Sequence, residues 1–132
     1  MPIEYKTGLT PATSDVIEVY DSSGINRPTK DPQRIADMYK NSDLIVSAWD
    51  GTTLVGVSRA ITDFVYCCYL SDLAIRKEYQ HQGIGKELVR RTKEHIGPRC
   101  MLLLLAAPAA MEYYPKIGMD KQDNAFMIKR EQ

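Results

Sequence analysis

An excess of charge of one sign is the first thing this chain lacks. Lys and Arg together number 17, and so do Asp and Glu. That balance gives no electrostatic case for nucleic acid as an obligate partner. Histidine is scarce. The two present, His81 and His95, have no partner at ligand spacing, so no metal is expected. The three cysteines are odd in number, with Cys67 and Cys68 adjacent. They read as reduced thiols of a reducing compartment rather than a disulfide frame. No histidine stands in a local motif that would make one of them a nucleophile. Long apolar runs are missing too. The longest, Met101 to Met111, is too short to cross a bilayer, so no membrane is expected. The opening "MPIEYKTGLT" lacks the apolar core of a signal peptide. Internal repeats and low-complexity linkers are also wanting.

What is left is one cytoplasmic domain spanning residues 1–132. Its length and 44% hydrophobic content suffice for a core without staples. "IEYK" reads as a short strand, and Ala12 to Ser22 as a helix with Val16, Ile17, Val19 and Tyr20 on its apolar side. "SSGINRPTK" is loop. Asp31-Pro32, a capping side chain before proline, opens a second helix with Ile35, Met38 and Tyr39 on one face. "DLIVSAW" and "TLVGVSRAI" flank Asp50-Gly51, a hairpin turn, and "DFVYCCYLSDLAI" adds a third strand. Ile84, Leu88, Val89, Thr92 and Ile96 then recur at helical spacing until Gly97-Pro98. "CMLLLLAA" does not alternate, which predicts a strand covered on both faces. A short helix near Pro108 to Tyr114 and a final strand at "FMIKR" complete the order. The unit from Tyr69 to Ala107 is expected to be a right-handed parallel crossover.

Chemistry concentrates in "YQHQGIGKELV", Tyr79 to Val89. A P-loop fails here, because Gln80 stands at its first glycine and Glu87 at its hydroxyl position. A dinucleotide fingerprint fails at Leu88, its third glycine. The pattern Q/R-x-x-G-x-G/A fits fully as Gln80, Gly83 and Gly85. Glycines let a backbone approach a diphosphate closely, and the following helix N-terminus offers unpaired N–H groups to an anion. Lys86 adds a positive charge in the first turn.

The longer stretch "LSDLAIRKEYQHQGIGKELV" resembles the acetyl-CoA-binding segment of the GNAT superfamily of N-acetyltransferases. "AMEYYPKIGM" resembles the A-x-x-[FY]-Y-x-x-x-G-[FM] segment of that superfamily. "NRP", "DLIVSAWDG" and "VGVSRAITD" look like the bacterial relatives of plant arylalkylamine (serotonin-type) N-acetyltransferases. The resemblance implies an α+β fold: a mixed, mostly antiparallel twisted sheet with a parallel splayed pair in the middle and helices on both faces.

It also implies acetyl-CoA as co-substrate, rather than ATP or a nicotinamide. The strand residues Leu73, Ala74 and Ile75 would pair with the pantetheine arm. The pyrophosphate would lie in the loop formed by Gln80, His81, Gln82, Gly83, Ile84, Gly85 and Lys86. Tyr114 aligns with the tyrosine that acts as general acid toward the cofactor sulfur, and a strand N–H near Leu73 with the oxyanion donor. Tyr113 is the packing neighbour. Asp72 aligns with an acidic residue that could accept the amine proton, directly or through water; Asp63 and Glu112 are weaker candidates. Ala107 departs from a polar residue in the plant-type relatives, which leaves the acceptor pocket open to change. The implied acceptor is a small-molecule amine, walled by the loop "SSGINRPTK" and reached by Arg27 or Tyr66, whose directions the sequence leaves open. A protein or peptide acetyltransferase and a non-catalytic acyl-CoA sensor are the competing readings, and a homodimer is compatible with each.

Overall fold

The computed structural model describes residues 2–132. Five strands run in the spatial order of the chain: β1 (Glu4–Thr7), β2 (Leu44–Asp50), β3 (Thr53–Thr62), β4 (Cys67–Ile75) and β5 (Met101–Leu103). The first four are antiparallel to their neighbours, and β4–β5 is a parallel pair. The β2–β3 hairpin turns at Gly51, whose positive φ of 61° suits the residue without a Cβ. α1 (Thr13–Ser23) and α2 (Pro32–Lys40) lie on one face, and α3 (Ile84–Ile96) on the other. A last short helix, α4 (Tyr113–Lys116), follows β5.

Each helix forms where its apolar residues repeat. On α1, Val16, Val19 and Tyr20 are buried, and on α2 Ile35 and Tyr39. They pack with Ile45, Trp49, Leu54 and Val57 of the sheet. On α3, Ile84, Leu88, Val89, Thr92 and Ile96 are all buried, as their spacing predicts. Leu88 is fully enclosed, a burial worth about 2 kcal/mol. The α2 start is as expected, with Asp31 Oδ1 accepting the Arg34 N–H at 3.1 Å and Pro32 in the first turn.

The C-terminal third differs from the sequence expectation in two ways. β5 is only three residues long, and Met101, Leu103 and Leu105 are exposed rather than covered on both faces. No strand forms at "FMIKR", where Phe126 is 98% and Ile128 101% exposed. The two differences share a cause. Leu102 and Leu104 pack toward α3, but among the described residues no strand pairs with the outer edge of β5 and no helix packs closely over its opposite face. The parallel pair therefore closes the sheet at one edge instead of sitting in its middle. The third strand also starts later than expected, at Cys67. Asp63 takes three backbone N–H groups, from Val65, Tyr66 and Cys67, and holds that segment as a turn.

Candidate active site

β4 carries the geometry from which the site is built. Arg59 pairs with Asp72, but Ala60 pairs with Leu70, so Ser71 has no partner on β3. This bulge re-aims the strand. Cys68 and Leu70 pack in the cluster under α3; beyond Ser71, Leu73 and Ile75 take that direction instead, and Ala74 joins the opposite cluster. On its other side β4 pairs with β5 only as far as Tyr69, opposite Leu103. From Leu70 to Ile75 that edge is free of a strand partner. Backbone groups on such an edge bind an extended ligand as an added strand.

The gap opens into a cleft of about 1420 Å³. Leu73, Ala74 and Ile75 line one side, and Leu104, Leu105 and Ala106 the other. At the Ile75 end stands the N-terminus of α3. Gln80 Nε2 donates to the Ile75 carbonyl at 2.9 Å and ties the loop to the strand. His81 and Gly83 both have positive φ, 64° and 84°, which turns the loop sharply into the helix. Gly83 occupies the N-cap without any side-chain cap, so the first-turn N–H groups remain available to an anion. A Cβ on Gly83 would meet nothing within 4 Å, whereas one on Gly85 would come within 2.8 Å of the Tyr113 hydroxyl. These features fit a diphosphate held by backbone, and no metal-binding cluster of His, Cys, Asp or Glu occurs among the described residues.

Of the sequence-predicted positions, Tyr114 and every cofactor residue except Gln82 line this one cleft. Gln82 turns away, donating from Nε2 to the Glu78 carbonyl at 3.3 Å. Ile84 is buried, so its side chain belongs to the core and only its backbone can serve a ligand. Tyr114 stacks edge-on against Tyr113, with centroids 5.2 Å apart. Burial, followed by the neighbouring Tyr113, raises its phenol above the ordinary value of 10.0. It therefore holds its proton at neutral pH.

The other end of the cleft, beside Ser71 and Asp72, is built from side chains. Asp72 is fully buried and does not line the cleft. Its Oδ2 accepts from Tyr20 and from Arg59 Nε, each at 2.6 Å, and its Oδ1 from Arg27 Nε at 2.6 Å and Ser71 Oγ at 3.1 Å. Tyr39 stands 2.6 Å from the Tyr20 hydroxyl, which completes a chain of two phenols behind the carboxylate. Burial works to raise the Asp72 carboxyl, but the Arg59 hydrogen bond and charge, with Tyr20 and Arg27, outweigh it and hold the group below 3.8. A carboxylate so fully engaged is a poor proton acceptor.

Arg27 thus points inward from its loop, and its Nη2 also donates to the Ser71 carbonyl at 2.7 Å. Tyr66 points away, 77% exposed and outside the cleft. Asp63 and Glu112 do not reach the cleft either.

Tyr20, Tyr39 and Arg59 have no site role in the sequence reading, where the tyrosines count only as apolar helix faces. A usable signal exists. An arginine inside an apolar strand needs a buried acid, and buried phenols need hydrogen-bond partners. Asp72, inside another apolar strand, answers both.

Comparison with known proteins bears on the family and the fold. The model of the acetyltransferase (GNAT) family matches residues 13–119. An uncharacterized N-acetyltransferase of Pyropia yezoensis is 27% identical over 111 residues, covering 79% of this chain. The chain spans 62% of that protein's length. Among solved structures, a Staphylococcus aureus protein superposes with a TM-score of 0.83 at 20% identity, covering 98% of this chain and all of its own. The PaiA N-acetyltransferase of Thermoplasma acidophilum, solved in complex with coenzyme A, gives 0.69 at 22% identity, covering 95% of this chain and 94% of its own. At these identities the structural likeness speaks for the fold.

Proposed function

The chain belongs to the acetyltransferase (GNAT) family, and from that premise we propose that it transfers the acetyl group of acetyl-CoA to a primary amine of a small molecule. The observation that carries this reading is the unpaired edge of β4 running from the Ser71 bulge to an uncapped helix N-terminus, with Tyr114 facing the same cleft. The edge suits a pantetheine arm, and the backbone of Gly83 to Lys86 suits a pyrophosphate. Acetyl-CoA supplies the acyl group as a thioester open to direct attack by an amine in a ternary complex. A backbone N–H near Leu73 donates to the oxygen that gains charge during attack. Tyr114 donates its phenolic proton toward the departing sulfur. Asp72 positions Arg27 and Arg59, and the amine proton leaves to water.

The resemblance to the arylalkylamine acetyltransferases favours a small acceptor, and the loop from Ser23 to Pro28 walls the cleft as a small acceptor needs. The exposed apolar residues of β5 and the tail favour a homodimer, which sedimentation velocity tests directly. No helix among the described residues is long and apolar enough to cross a membrane. Thiol release from acetyl-CoA is to be measured across small amines and lysine peptides. Transfer to small amines supports the reading. Transfer to peptides alone would replace it with a protein acetyltransferase, and binding without transfer would replace it with a sensor.

A further inference from the structure

The turn between β3 and β4 holds a strained residue. Phe64 sits at φ 62°, a region that a bulky side chain rarely enters. Its surroundings keep it there. Asp63 Oδ1 takes the N–H groups of Val65, Tyr66 and Cys67. The Phe64 N–H donates to Thr62 Oγ1 and the Thr62 N–H to Asp43 Oδ2, each at 2.9 Å. What this braced turn presents is apolar: Phe64, Val65 and Tyr66 are all exposed, one after another. Three such side chains in a row mark a surface that another body covers. Beside them is a hollow. Tyr66 and Met101 line a cavity of about 430 Å³ together with Lys93, Pro98, Arg99 and Cys100. The cavity shares no residue with the cofactor cleft. The Tyr66 carbonyl accepts the Met101 N–H at 2.9 Å, so the projecting turn and the hollow are fixed to one another.

The charges of this face also come in two complementary halves. Lys93 is spent on the carbonyls of Gly97 and Cys100, which leaves Arg99 as the available cation of the cavity. Arg99 is exposed, and among the described residues it forms no salt bridge. On the turn, Asp63 Oδ1 is filled, while its Oδ2 meets only the Cys67 thiol at 3.9 Å. Building on the homodimer reading, we infer that two copies join through this face about a two-fold axis. Phe64 and Val65 of each copy enter the cavity of the other, and Arg99 of each faces Asp63 of the other. A two-fold interface uses the same patch on both copies, so that patch must carry both the projecting part and the receiving part. This face carries both, whereas an unrelated partner would need only one. Apolar side chains at the centre with opposite charges at the rim match the anatomy of a specific interface. The bracing has a purpose in this arrangement, because a turn already held rigid loses little freedom on docking.

The test is sedimentation velocity across the micromolar range on the wild type, Phe64→Gly and Arg99→Glu. Glycine accepts the positive φ of position 64 without strain, so Phe64→Gly removes the projecting ring and keeps the turn. Arg99 is exposed, so Arg99→Glu should fold as well, and thermal melts check both variants. The expected result is a wild-type dimer whose Kd rises by roughly 10- to 100-fold in Phe64→Gly, the scale of losing one aromatic anchor. Arg99→Glu should weaken the dimer by a smaller factor, because charges at a rim contribute less. Coenzyme A affinity should be unchanged in both, since neither residue lines the cleft. A dimer with wild-type Kd in both folded variants overturns the inference and leaves the homodimer reading standing. A monomeric wild type overturns both, and gives the exposed turn to a different partner. Neither outcome touches the acetyltransferase reading.

Discussion

The two ends of the cleft are made of different materials. At the α3 end the wall is backbone: Gly83 and Gly85, a free strand edge, and helix N–H groups. At the Ser71 end it is side chain: Arg27 and Arg59 line it and are held from behind by the buried Asp72, Tyr20 and Tyr39, the five drawn from two helices, a loop and two strands. A wall of backbone holds a ligand without the rest of the protein depending on it. A wall of buried charges holds the protein together as well. Substitutions at the first end should therefore alter ligand binding more than stability, and those at the second end stability first.

The largest expected effect is at Asp72. Asp72→Asn leaves two guanidiniums facing a neutral group in a buried site, and should cost roughly 3–5 kcal/mol of unfolding free energy. Urea denaturation measures it. Loss of activity with unchanged stability would instead make Asp72 a proton acceptor. The folded carboxyl lies below 3.8, its unfolded value. Its contribution is thus complete above 3.8 and is lost as pH falls through the lower, folded value. The gap in stability between wild type and Asp72→Asn should be constant near neutrality and close in acid.

Next is Tyr114→Phe, which keeps the ring and removes the proton. We expect kcat to fall by roughly 10- to 1,000-fold, with folding and CoA affinity near wild type. Steady-state kinetics with the best amine, beside thermal melts, decides it. Unchanged kcat in a folded variant would give the proton to water and leave Tyr114 to packing.

The α3 end should respond more quietly in stability. Gly83→Val places a β-branched residue at φ 84°, a strain of roughly 1–3 kcal/mol, and obstructs the pyrophosphate. Calorimetry should show weaker CoA binding, and wild-type affinity in a folded variant would mean the cradle lies elsewhere. The smallest effect belongs to Gly85→Ala. Its Cβ would come closest to the far end of the Tyr113 side chain, at 2.8 Å. The loss should stay within about 1 kcal/mol, by the scale of a side chain pushed off its rotamer, and Tyr113→Phe in the same chain should relieve it. Failure of that relief would show that Ile75, 3.3 Å from the same position, sets the limit.

The same contrast explains what was legible in the sequence. The backbone wall is contiguous, because a glycine loop and the helix it starts follow one another along the chain. Its residues therefore announce themselves as a pattern, and the helix from Ile84 was readable by spacing alone. The side-chain wall is assembled from positions as far apart as Tyr20 and Asp72. Local periodicity assigns those tyrosines to apolar faces, correctly, since both are buried, and is silent about what their hydroxyls meet. The bulge at Ser71 is equally silent, because it depends on the register of β3. "CMLLLLAA" and "FMIKR" misled for a related reason. Composition states that a segment is able to be a buried strand, and coverage is decided by elements that lie elsewhere.

Backbone amide chemical shifts, followed while coenzyme A is titrated into the uniformly labelled protein, test the central claim most directly. A cofactor lying along the free edge of β4 and on the α3 N-terminus should shift the amides of Leu73, Ile75, Gly83, Gly85 and Lys86 in one saturable transition, and leave those of β1 and the β2–β3 turn in place. Saturable binding that moves other amides and spares these five, or no binding at all, would contradict it.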